Sequence, residues 1–194
     1  MSAWIRTIPH DQAVGFLKQA YDQVKTPHGT IDNVMKIHSL RPQTMVGHWA
    51  LYKAVLHSAD NTLPLWFLEA VGTYTSMINK CDYSFSNHYH NARVLMGDDA
   101  RAERMRAAFA EGRPEKVFDG KELALLQYTG KLTARPQDIS EADIQAIHKA
   151  GGSDEEILEI NQVCAYFNYA NRLLNGLGVT LAGDTVGYYK DTNL

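Results

Sequence analysis

Cys81, Ser84 and His88 stand three and four positions apart, and Glu69 lies twelve positions before the cysteine. If a helix opens at Cys81, those offsets put thiol, hydroxyl and imidazole on one helical face. A tight turn near Asn79 would fold the helix carrying Glu69 back toward the same spot. Thiol, hydroxyl, imidazole and carboxylate would then converge. The thiolate is the nucleophile, and a helix N-terminus favours it because its free amides and dipole stabilise negative charge. His88 can take the thiol proton and later deliver one to a leaving oxygen. Glu69 can orient His88 and stabilise its cationic form. Ser84 can donate or accept a hydrogen bond.

Tuning of the thiol alone explains little. Lowering its pKa from about 8.5 to about 6.5 raises the thiolate fraction at neutral pH from roughly 3% to roughly 75%. Each thiolate then becomes about 6–10-fold less nucleophilic, so the net gain is a few-fold. Catalysis would rest on proton delivery, and so on His88 and Glu69.

Helical periodicity dominates the elements that must position these groups. Residues 11–25 carry apolar side chains at helical spacing, with Asp11 as the expected N-cap. A short segment spans 31–39. Pro42 suits the first turn of a helix reaching about Ser58. Helices follow from about Leu65 to Asn79 and from Cys81 to Met96, then from an Asp98 cap through Ala110, and over 121–133. Ser140 to Asp143 and Ser153 to Glu156 read as capping boxes, the second opening a long helix through Asn175. Gly176 and Gly178 should end it by tolerating positive φ. No strand alternation is evident. The chain reads as one all-α domain over 1–194, with an irregular tail at 179–194.

At 194 residues, 45% apolar and 21% charged, the chain can bury about 70% of its unfolded surface without a disulfide or metal staple. A net charge of −3 with mixed signs argues against nucleic acid or an anionic membrane as partner. No run of about 18 apolar residues could span a bilayer. Two cysteines are too few for a disulfide scaffold, and the N-terminus does not read as a secretory signal. These features point to a cytoplasmic location, where a free thiol can be functional.

Plainer roles compete for several residues. Cys164 sits on an apolar stripe with Ile157, Ile160 and Phe167 and reads as core. His90 falls off the face shared by Cys81 and His88. His48, His57, Cys81, His88 and His90 invite a zinc site, but structural sites show closer paired spacings. Tyr166, Phe167 and Tyr169 read as core or subunit contact, and the charge run 101–106 as a solvated helix face.

The stretch from Glu69 to His88 resembles the alkylhydroperoxidase-D-like and carboxymuconolactone-decarboxylase-like superfamily. Its motif is a glutamate, a Cys-x-x-Cys and a histidine four residues on. Ser76, Asn79, Cys81 and Tyr83 are similar to the version seen in its peroxidase-related branch. So is Phe167-Asn168-Tyr169-Ala170-Asn171-Arg172 with the later Gly178-Val179. The resemblance implies an alkylhydroperoxidase-D-like helical bundle, a homo-oligomer (trimer or hexamer), and no metal or organic cofactor. It also implies reduction of a hydroperoxide through two cysteines recycled by a dithiol partner. Here the second cysteine is Ser84, so no disulfide can form between positions 81 and 84. Three continuations remain. Cys81 acts as a lone peroxidatic thiol with an external thiol reductant, giving a CxxS peroxidase. Or Cys164 resolves it. Or the scaffold has left redox chemistry, either for decarboxylase-like proton transfer by Glu69 and His88 on a small lactone-like substrate, or for a non-catalytic thiol sensor.

Overall fold

A computed structural model describes residues 2–189. Among these residues there is no strand, and the expected all-α class holds. The helices are α1 (Gly15–Gln23), α2 (Asn33–Lys36), α3 (Pro42–Leu56), α4 (Leu65–Ile78), α5 (Asp82–Met96), α6 (Asp99–Ala110), α7 (Gly120–Ala134), α8 (Glu141–Lys149) and α9 (Asp154–Gly176). None of the described helices is long and apolar enough to cross a membrane.

The bundle is organised around α4. Its one charged residue is Glu69, and every side chain from Phe67 to Ser76 is buried. A helix that is apolar on all sides belongs inside. It packs against α5, α7 and α9. Gly72 permits the approach of α9, because a Cβ there would lie 2.2 Å from the Phe167 ring. The main core joins Phe67, Leu68, Leu125, Ile160 and Phe167. A second cluster, with Tyr21, Met35 and Met45, binds α1 and α2 to α3. In turn α3 rests on α9.

Local signals fix most boundaries. Pro42 is in the first turn of α3, and both Ser140 and Ser153 form reciprocal capping boxes. The Asp98 side chain accepts the Arg101 amide at the start of α6. Gly178, at φ +60°, ends α9, whereas Gly176 is still helical. Asp11 is not the N-cap of α1. Residues His10–Gln12 make one 3-10 turn after Pro9, Ala13 is extended, and the helix begins at Gly15.

The link from α4 to α5 is a Schellman turn. Lys80 takes a left-handed φ of +52°, the Cys81 amide donates to Ser76 O at 2.9 Å, and the Lys80 amide donates to Met77 O. Cys81 thus closes α4 and occupies the N-cap position of α5.

Candidate active site

The turn at Lys80 lays α4 and α5 antiparallel, so residues roughly equidistant from it face each other. Glu69 Oε2 meets His88 Nδ1 at 2.6 Å, and Ser76 donates to Ser84 Oγ at 2.8 Å. Asn91 Nδ2 donates to the other Glu69 oxygen at 3.2 Å. Glu69 is wholly buried, and the His88 side chain keeps 15% exposure. With Glu69 as acceptor, the proton of the 2.6 Å bond sits on Nδ1, which leaves Nε2 as the working nitrogen. Phe167 packs edge-to-face on the imidazole, with ring centroids 4.5 Å apart, and holds its plane.

Cys81 is buried at 1% exposure and packs with Tyr83 and Leu174. The net effect of its surroundings is to raise the thiol pKa. Burial pushes the thiol up and the Asp82 carboxylate adds to this, while the Ser84 amide works in the opposite direction. The amide contribution expected from the sequence is present at Ser84, and desolvation outweighs it.

A cavity of about 660 Å³, counting its open mouth, lies against α5. Ser84, Asn87, His88 and Asn91 contribute its polar wall. Trp49, Tyr52, Tyr83, Tyr166 and Tyr188 supply an aromatic lining. Cys81 and Glu69 stand one layer behind that surface. The outer wall is the irregular segment after α9. Its Gly187 amide donates to Asn87 Oδ1 at 2.9 Å and its Tyr188 amide to Asn91 Oδ1 at 2.7 Å. Asp184 accepts from Tyr83 at 2.6 Å and from the Asn33 amide at 2.7 Å. Residues 190–194 of the expected tail lie outside the described residues.

Cys164 occupies a separate site. It is buried among Thr75, Thr133 and Asn168, with Thr133 Oγ1 at 3.2 Å. Cys81 packs on Leu174, ten residues farther along α9, or about 15 Å of helix rise. A disulfide needs Cα atoms within about 7 Å, so Cys164 does not serve as the resolving partner in this conformation.

Of the other histidines, His38, His48, His57 and His90 each have partners of their own. His38 Nε2 and His48 Nδ1 are 2.9 Å apart, and His48 Nε2 is 3.0 Å from the Tyr166 hydroxyl. Burial lowers the His48 pKa to about 3. His57 packs between Tyr52 and Tyr188, and burial lowers it to about 4. His90 Nε2 lies 3.2 Å from Tyr189 O. Among the described residues, no three His, Cys, Asp or Glu side chains are grouped to hold a metal ion. Arg101, in the expected solvated run, instead covers the Trp66 ring at 4.8 Å.

Sequence reasoning missed Asn91, which clamps Glu69, and the chain-end segment that completes the cavity. Asn91 lies three residues beyond His88 and seven beyond Ser84 on α5, so its spacing was a readable signal. The contacts of 184–189 had none, because that segment carries no periodicity.

No family model matches the chain, and no curated protein matches it. Solved structures do. One is described as the alkylhydroperoxidase AhpD core of a peroxidase-related protein from Ralstonia eutropha. It has a TM-score of 0.80 at 21% identity, over 93% of this chain and 92% of that one. A peroxidase-related protein from Silicibacter gives 0.76 at 22% identity, over 92% and 91%. The debrominase Bmp8 gives 0.73 at 17% identity, over 93% and 91%. At these identities the likeness is one of architecture, and it establishes that this chain has the alkylhydroperoxidase-D-like helical fold.

Proposed function

We propose that the chain is a single-thiol oxidoreductase that reduces an organic hydroperoxide through Cys81. The observation that carries this reading is the Glu69–His88 pair, joined at 2.6 Å beside the cavity, on the helix that Cys81 opens. Burial keeps the thiol protonated, so its proton must leave as the sulfur attacks. His88 Nε2 takes it, with Glu69 supporting the imidazolium. The sulfur–oxygen bond forms, the oxygen–oxygen bond breaks, and His88 passes the proton to the leaving alkoxide. The products are a Cys81 sulfenic acid and an alcohol. An external thiol condenses with the sulfenic acid and releases water, and a second thiol displaces Cys81 as a free thiol. Two architectural neighbours described as peroxidase-related support this class.

Mass spectrometry of the intact chain after stoichiometric cumene hydroperoxide should find one added oxygen, located at Cys81 and missing from Cys81→Ser. A Cys81 that stays reduced under excess peroxide ends the redox reading.

A second reading draws on a specific observation. His88 lines the cavity with 15% of its side chain exposed, while the thiol is 1% exposed with a raised pKa. Proton transfer by His88 and Glu69 on a small lactone-like or ring-bearing substrate would need no thiol. Under that reading Cys81→Ser keeps activity and His88→Ala loses it. Bmp8, crystallised as a Cys-to-Ala variant with 2,3,4-tribromopyrrole, is an example of this architecture holding a small ring.

A further inference from the structure

A chain of hydrogen bonds runs from α9 through the α4–α5 turn to the cavity, and its direction can be deduced. Asn168 Nδ2 donates to the Cys164 carbonyl at 3.0 Å, and a carbonyl can only accept. The Asn168 side-chain oxygen therefore points the other way, where Arg172, which can only donate, meets it at 2.9 Å. That oxygen also accepts from Asn79 Nδ2 at 3.0 Å, which fixes the Asn79 amide as a donor. The same Asn79 nitrogen donates to Asn171 Oδ1 at 3.0 Å, so Asn171 presents its own Nδ2 to Ser76 Oγ at 3.3 Å.

Ser76 is completely buried, and Ser84 Oγ is the acceptor available to its proton. Ser84 must then accept from Ser76, and the Ser84 proton is left with the cavity that this residue lines. Leaving the buried Ser76 proton unpaired instead would carry the full desolvation cost of a hydroxyl.

We propose that Ser84 is a one-way hydrogen-bond donor that fixes an oxygen acceptor on a ring-sized organic ligand, with Asn79, Asn171 and Ser76 as positioning residues that set its direction. The proposal rests on reading the cavity as the substrate site. It gives the Cys-x-x-Ser pattern a positive role, since a thiol at position 84 would be a weak donor. It also names the kind of molecule the aromatic lining would accept: a hydroperoxide or carbonyl compound with a planar body. In peroxide reduction the held oxygen is the one that departs.

Acetophenone and α-methylstyrene provide the test, because they share a shape and differ in a carbonyl against a methylene. Their affinities would be measured by NMR titration of the full chain. Wild type should prefer acetophenone by about tenfold, the scale of one hydrogen bond. Ser84→Ala should reduce acetophenone to the affinity of α-methylstyrene. Ser76→Ala, which does not line the cavity, should cut the preference several-fold and leave α-methylstyrene binding unchanged, and Ser76→Thr should restore it. The proposal is overturned if wild type does not bind acetophenone, if either alanine variant keeps the full preference, or if Ser76→Ala weakens both ligands equally. Binding does not involve the sulfur, so these outcomes are independent of the peroxide titration at Cys81.

Discussion

Glu69 and Asp32 are two carboxyl groups at one cavity, and the fold treats them differently. Glu69 stands behind the polar wall, with no exposure, and both its oxygens have donors: His88 on one, Asn91 on the other. Asp32 lies on the wall contributed by the N-terminal helices. Its Oδ1 is buried with no hydrogen-bond partner. Burial and the neighbouring Asp184 lift its pKa to about 6, against the pull of Lys36 and His28. The deeper group is the better satisfied one. The supply of donors, rather than depth, decides what a buried carboxyl costs.

The largest break in that contrast should come from Glu69→Ala. It strands the His88 Nδ1 proton and the Asn91 amide together, and we expect a loss of about 3 kcal/mol in urea unfolding, the lower end for breaking a buried pair. Gly72→Ala reaches the Glu69–His88 pair by packing. A methyl 2.2 Å from the Phe167 ring forces that ring off His88. Overpacking should cost about 1–3 kcal/mol, only partly offset by the roughly 1 kcal/mol helix preference for alanine. The His88 ring resonances should shift, while alkylation of Cys81 in the unfolded chain stays normal.

Asp32→Asn should have the opposite sign. A carboxyl whose folded pKa is raised binds protons more tightly in the native state, so its contribution is most favourable below about pH 4. That contribution declines as pH rises through about 6. Removing the charge should therefore add about 1–2 kcal/mol at pH 7, and little at pH 4. Urea midpoints of variant and wild type at the two pH values measure this. The difference cancels the opposite slope of His48 and His57, whose lowered pKa values make acid destabilising. Equal midpoints at pH 7 would mean that Asp32 is as well provided for as Glu69.

The α4–α5 unit was readable from sequence because its logic is local. Cys81, Ser84 and His88 share a short helical spacing, and the preceding helix had to fold back. Capping at Ser140 and Ser153 was equally local. What sequence could not supply was the partner 95 residues away that tells Ser76 where to point, or whether an N-cap thiol would be buried. The N-cap position of Cys81 is a short-range feature, whereas the burial that raises its thiol pKa comes from long-range packing on Leu174. Asp11 failed for a related reason: the preceding Pro9 and the buried Ala13 impose a turn and an extended residue before the helix can begin.

Beyond the side-chain anchor at Asp184, the segment that walls the cavity is attached through the peptide amides of Gly187 and Tyr188. Any amino acid but proline offers such an amide, so attachment at 187 and 188 places little demand on side chains. The exception is Gly187, where a Cβ would meet the His90 ring at 2.0 Å. Tyr188 can therefore be exchanged for another residue while its anchor to Asn91 persists. Related proteins could diversify what they admit by rewriting this panel, with the helices that carry the reactive groups left as they are.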